Sequence, residues 1–312
     1  MLITSYDATT FQRKSTVTAA KSVIMNKRLY DLGSFELTLK ACDFEVGDIV
    51  LYGDFSGRIN RIVRDLSGNT KVYGYDLKSL LYRRIFDAEL TFTKKTPEHI
   101  LKNIADTFLL TGSRNITGLS VAPDSGAGEV IAEHKFERGS RVSDELKEFC
   151  QKYSMGYDIT FDEQAIIFDV VKERENKNII FGKHYGSVED LNYTKGDYNM
   201  VNVIYYPKDA SIAVDGVEVG INRFEGYVSN ADEVETYGES HSAEETIKGT
   251  ASNRYVYGTD YALGDIVRVE FGDMYTMKTI TEVEITVEPN CRKTVPTFGT
   301  EKENPIKKLI RG

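Results

Sequence analysis

Polar and apolar positions alternate at period two along Ser34-Phe35-Glu36-Leu37-Thr38-Leu39, the pattern of a half-buried strand. Leu51–Gly57 reads as a turn into a strand at Arg58–Val63, and Leu66–Asn69 as a hairpin loop leading to Lys71–Tyr75. Leu77, Leu80 and Leu81, spaced i, i+3, i+4, predict a short helix over 76–84 with Asp76 as its N-cap. The period then changes. Thr96 and Pro97 open a helix whose buried stripe is Ile100, Ile104 and Phe108, with Gly112 as its stop. Residues 111–129, rich in Gly, Ser and Pro, predict a long surface loop. A second helix is capped by Ser143, with Asp144 and Glu145 at its positive end and Leu146, Phe149, Cys150 and Tyr153 on one face. Gly156 ends it, and Tyr157–Phe161 and Ile166–Val171 predict a hairpin. Further on, Met200–Tyr206 predicts a strand. Asp215-Gly216 predicts a type I′ hairpin between Ile212–Val214 and Val217–Val219. Ser242-Ala243-Glu244-Glu245 reads as a capping box opening a third helix to about 253.

One segment recurs. Phe44-Glu45-Val46-Gly47-Asp48-Ile49-Val50 and Tyr261-Ala262-Leu263-Gly264-Asp265-Ile266-Val267 share aromatic-x-aliphatic-Gly-Asp-Ile-Val. Each copy precedes a turn-rich stretch and a second strand, Arg58–Ile62 in one case and Lys278–Val283 in the other. Gly-Asp supplies a turn and Ile-Val enters a strand, so the repeat predicts two related β-domains. The expected class is α+β, mainly β. Residues 1–92 form a first β-domain, 93–185 a middle α/β module, 186–299 a second β-domain and 300–312 a polar C-terminal tail.

The 312 residues suffice for two or three domains, and 41% apolar with 28% charged is an ordinary globular balance. No run of 18 apolar residues predicts a membrane span, and the polar N-terminus lacks a signal-peptide pattern, so folding in the cytoplasm is expected. Cys42, Cys150 and Cys291 are odd in number and far apart, which predicts reduced thiols rather than a zinc site or disulfide framework. A net charge of −9 argues against gripping DNA through its phosphates.

Recognisable catalytic patterns are absent from the sequence. His99, His134, His184 and His241 form no zinc-binding pair, and no nucleophile elbow or phosphate-binding glycine loop occurs. The expectation is no catalytic residue, no cofactor and no metal. Glu225, Asp232, Glu233, Glu235, Glu239, Glu244 and Glu245 form an acidic run free of Lys and Arg over 225–245. It reads as a solvated face or subunit rim, with a cation or sugar site as the sharper alternative. The chain has 19 tyrosines and no tryptophan, and that lack counts against a sugar-stacking platform.

The ordered segments resemble the tail hub proteins of long-tailed phages, a siphophage family related to the myophage baseplate hub. The carrying residues are Ser34–Leu39, Val46–Val50, Arg58-Ile59, Gly74–Arg84, the helix and hairpin at 143–171, Asn199–Tyr206, Tyr257–Val267, Ile280–Val283 and Pro296–Gly299. The resemblance implies a homotrimer in which each subunit gives two β-barrel-like domains, forming a pseudo-sixfold ring. It also implies an insertion in the second barrel, at about 210–253, that packs on the middle module. Such a ring would join a sixfold tail tube to a threefold tip and let DNA pass without specific binding. Implied partners are tail-tube or distal tail proteins above and a fibre or spike below, and the lumen is a candidate site for the tape-measure protein. The expected location is the virion tail, assembled in the bacterial host cytoplasm. Rival readings are a carbohydrate-binding surface β-protein and a glycoside hydrolase using an acidic pair within 225–245.

Overall fold

The computed structural model describes residues 2–299, apart from 41, 67, 198, 199, 210, 232 and 233. The C-terminal tail, with its basic Lys307-Lys308-Leu309-Ile310-Arg311 segment, lies outside the described residues. Two compact units result, one from the described parts of Met1–Leu191 and Gly249–Glu301 and the other from Asn192–Lys248.

The first unit begins with seven strands: β1 (Ile3–Tyr6), β2 (Arg13–Val17), β3 (Ala20–Arg28), β4 (Ser34–Leu39), β5 (Ile49–Tyr52), β6 (Phe55–Arg64) and β7 (Thr70–Asp76). They pair antiparallel in the order β2-β1-β5-β6-β7-β4-β3. The alternation at Ser34–Leu39 is realised, because Phe35, Leu37 and Leu39 are buried and the residues between them half-exposed. Phe35 lies over Gly57 and Gly74, where a Cβ would come within 2.7 and 2.4 Å of its ring, so these strands meet only because both positions lack side chains. Asp76 does not cap a helix. It ends β7, and the next helix, α1 (Ser79–Tyr82), has Lys78 at its N-cap.

The middle of the unit carries β8 (Leu90–Lys95), α2 (Pro97–Ala105), β9 (Leu119–Val121), β10 (Ile131–Phe136), α3 (Val142–Lys152), β11 (Met155–Phe161) and β12 (Ile166–Lys172). Thr96 caps α2, accepting the N–H of His99 at 3.4 Å, and a π-helical turn at Asp106–Leu110 carries the buried stripe to Phe108. At α3 the N-cap is Arg141, and Ser143 falls in the first turn instead. Residues 111–129 are not loop throughout, since β9 runs parallel to β12, the partner of β11. Phe86 stacks on Phe136 at 5.1 Å and meets Phe108 edge-on at 4.9 Å. Each such fully buried ring stabilises the fold by roughly 1.5–3 kcal/mol over its exposed state.

Strand β13 (Arg174–Phe181) closes this run. The second unit then contains β14 (Asn192–Gly196), β15 (Val203–Lys208), β16 (Ser211–Asp215), β17 (Glu225–Tyr227), α4 (Val234–Ser240) and β18 (Glu244–Lys248). Two expectations change here. The hairpin joins β15 to β16 with Asp209 at φ 54° in the turn, and Val217–Val219 is not a strand; β17 instead runs parallel to β15. The predicted capping box at 242–245 opens no helix, because β18 pairs with β14 and buries Thr246 and Ile247. Strand pairing outweighs the local helix signal.

The first unit ends with β19 (Asp265–Phe271), β20 (Met274–Glu288) and β21 (Cys291–Gly299). β13 runs parallel to β19, β19 pairs with β20, and β20 pairs with β21. Beyond its hairpin with β19, β20 also pairs with β3 through Glu282↔Arg28 to Val287↔Val23. The early and late β-regions therefore share one continuous sheet. The fold is mainly β, as expected, but among the described residues no sheet closes into a barrel. No helix among them is long and apolar enough to cross a membrane.

Candidate functional site

The two Gly-Asp-Ile-Val copies form the same turn. Gly47 and Gly264 adopt φ of 104° and 84°, a left-handed conformation open to glycine at little cost. Gly47 N–H donates to the carbonyl of Ile59 at 2.9 Å, and Gly264 N–H to that of Ile280 at 3.0 Å. The following aspartate folds back in both copies. Asp48 Oδ2 accepts the N–H of Glu45, and Asp265 Oδ2 that of Ala262, each at 3.0 Å. A cation from a preceding strand meets the other oxygen, Lys14 at 3.0 Å on Asp48 and Arg174 at 2.6 Å on Asp265. Ile59 and Ile280 are both fully buried, as are Phe44 and Tyr261. Ile49 is buried but Ile266 only partly, and their flanking strands differ: β1 is antiparallel to β5, whereas β13 is parallel to β19.

A cleft of about 230 Å³ in the same unit collects charges that sequence reading did not single out. Lys27 and Arg28 reach it from β3, Asp54 from the β5–β6 turn, Asp76 from the end of β7 and Lys78 from the N-cap of α1, with Tyr157 and Asp158 from β11 and Tyr257 from the segment before β19. Lys27 pairs with Asp54 at 2.7 Å and lies 5.8 Å from the centre of the Tyr257 ring. Buried Lys78 donates to the backbone carbonyls of Arg28, Leu29 and Asp31. Arg28 and Glu282 form a buried ion pair at 3.1 Å across the β3–β20 seam. Burial pushes the Asp76 carboxyl up to about 7, with Asp158 adding to the rise and Lys78 opposing it. Burial likewise pushes the Tyr257 hydroxyl up to about 12. Ser56 is also engaged, its Oγ accepting the N–H of Phe161 at 3.1 Å. The arrangement is a charge-balanced seam, in which the lysines hold carbonyls and carboxylates rather than activate a nucleophile. Long sequence separation left no motif to reveal it.

The histidines are dispersed. His99 Nδ1 meets Asp124 at 2.8 Å, His134 packs on Phe136 and Phe149, His184 lies beside Tyr185, and His241 stacks on Tyr237. Burial and the charge of Lys152 push His134 down to about 4. In the acidic run, Glu225 accepts from Arg223 and from the Tyr205 hydroxyl, and Glu245 from the Tyr193 hydroxyl. Glu235 is exposed on α4, while Asp232 and Glu233 and the side chains of Glu239 and Glu244 lie outside the described residues. No metal-holding cluster of His, Cys, Asp and Glu occurs among the described residues, and Cys42, Cys150 and Cys291 form no disulfide.

Residues 6–223 match the family model described as Siphovirus ReqiPepy6 Gp37-like protein. This chain belongs to that siphovirus family. Its fold is that of phage tail and baseplate proteins. The 43 kDa tail protein of prophage MuSo2 from Shewanella oneidensis superposes with a TM-score of 0.60 at 14% identity, covering 96% of this chain and 98% of that one. Prophage tail protein gp18 from Listeria monocytogenes EGD-e gives 0.59 at 12% identity, covering 100% of both chains. A chain of the phage P2 baseplate in its activated conformation gives 0.53 at 10% identity, covering 97% of this chain and 100% of that one. No curated protein sequence matches significantly.

Proposed function

We propose that the chain is a structural hub of a phage tail tip or baseplate, located in the virion tail and assembled in the host cytoplasm. Three copies form a pseudo-sixfold ring that joins the sixfold tube to a threefold tip. The pair of equivalent Gly-Asp turns carries this reading: one chain that presents two like elements offers six to a tube when tripled. The likeness in fold to tail and baseplate proteins supports it. In this reading residues 1–92 and 186–299 supply the two like β-domains around the module at 93–185. Tail proteins bind above and a fibre or spike below, and DNA passes an acidic or neutral lumen without specific binding. Lysine and arginine gripping phosphates there would slow its passage through counterion release. The role is non-enzymatic.

Light scattering on the purified chain tests the ring directly. A trimer is expected, with interfaces above about 1,000 Å² per contact, whereas a monomer at micromolar concentration overturns the reading. Incubation with peptidoglycan should release no soluble fragments.

A further inference from the structure

The second compact unit contains a sheet with one covered and one open face. In the order β16-β15-β17, Val214 and Tyr227 both pair with Tyr205, and Ile212 pairs with Pro207, so these side chains share one face. α4 takes the other: a Cβ on Gly226 would come within 2.6 Å of the Tyr237 ring, and one on Gly238 within 3.3 Å of Ile204. On the open face Ile212 is 64%, Val214 48% and Tyr227 57% exposed. In the connection from β16 to β17, Val217, Val219 and Ile221 are 90, 76 and 95% exposed. Isolated exposed apolar residues need no explanation, but a run of six within sixteen positions marks a contact surface.

The charge of this unit narrows what covers that face. Residues 192–248 hold eleven Asp and Glu against four Lys and Arg. A matching segment must be apolar on one side and basic on the other. Ile306-Lys307-Lys308-Leu309-Ile310-Arg311 has that pattern, with Ile306, Leu309 and Ile310 at i, i+3, i+4 and the three cations between and after them.

We propose that the open face formed by Tyr205, Ile212, Val214 and Tyr227 is the docking site of the chain's own C-terminal segment, Ile306–Arg311. The apolar side chains cover the sheet and the cations meet the acidic surround. Tethering raises the effective concentration of the segment far above that of any free competitor.

The test uses the intact chain, a chain ending at Pro305, and a labelled synthetic peptide of residues 304–312. The peptide is expected to bind the shortened chain at least tenfold more tightly than the intact one, whose face is already occupied. Half-molar salt should weaken that binding, because screening removes its charge component. In the shortened chain, Val214→Glu and Tyr227→Lys, both at exposed positions, should each abolish it. Equal binding to both chains, no binding to the shortened chain, or binding unaffected by both face variants overturns the proposal. So does a fall in assembly mass on shortening, which would assign the segment to a contact between copies.

Discussion

The backbone N–H of Gly33 donates to the Asp76 carboxylate at 2.9 Å, inside the protein and beside the charged cleft. A Cβ at position 33 would lie 2.5 Å from both the Asn26 carbonyl oxygen and Asp76 Oδ2. Neither atom can retreat easily, since one is strand backbone and the other accepts this very bond. Gly33→Ala should destabilise the chain by about 1–3 kcal/mol, as overpacking does, and urea unfolding would measure it.

Asp76 itself should impose a pH dependence on stability. Its folded-state carboxyl titrates near 7, raised mainly by burial, while the unfolded carboxyl takes the ordinary aspartate value. The folded state therefore holds the proton more tightly. The resulting stabilisation is full below about pH 4 and is lost as pH rises towards 7. Asp76→Asn should flatten this part of the profile, seen as the difference in melting temperature between variant and parent from pH 4 to 8. An unchanged difference would show that Asp76 titrates normally.

Glu98 should act in the opposite sense. Burial alone would raise its carboxyl, but hydrogen bonds from Lys102 at 2.7 Å, Ser125 Oγ at 2.6 Å and Ala127 N–H at 2.7 Å outweigh that and hold it at about 2. Its stabilisation is present above the ordinary glutamate value and is lost as pH falls towards 2. Glu98→Ala removes the acceptor of Lys102, Ser125 and Ala127 and frees the 125–127 segment from α2, while Asp169 at 3.1 Å and the Pro123 carbonyl at 2.6 Å still hold the Lys102 ammonium. A loss of about 1–3 kcal/mol is expected, as when buried donors lose their acceptor. Chemical denaturation at neutral pH would read the loss, and limited proteolysis would read the freed segment.

Both Gly-Asp turns should be sensitive, the second more than the first. Gly47→Ala and Gly264→Ala each force a side chain into the left-handed region, at about 1–2 kcal/mol. At Gly264 the added Cβ would also come within 3.0 Å of the Lys172 carbonyl oxygen, whereas at Gly47 its nearest neighbour is the Arg58 guanidinium at 3.4 Å. A larger loss of melting temperature is expected for Gly264→Ala, and no loss at either position would show that neither turn requires glycine.

Period and punctuation determined much of this protein. Alternation at Ser34–Leu39, the Thr96-Pro97 helix start and the paired Gly-Asp turns are local instructions. Each is set by how one side chain sits on its own backbone, so each survives into the fold. Local signals failed where distant pairing had the larger stake. The capping box at 242–245 became strand β18 because β14 pairs with it, and Asp215-Gly216 lost its hairpin to the turn at Asp209. The cleft was beyond sequence reading for the same reason. Lys27, Asp54, Asp76, Asp158 and Tyr257 share no spacing, and only the tertiary fold gathers them. The joining of the early and late β-regions into one sheet likewise rests on β3 meeting β20 across some 250 residues of chain, as in the Asn26–Glu282 hydrogen bond with its separation of 256. Backbone hydrogen bonding accepts any pair of extended strands, so nothing local names the partner. Burial of both strands' apolar faces and the Arg28–Glu282 ion pair decide it.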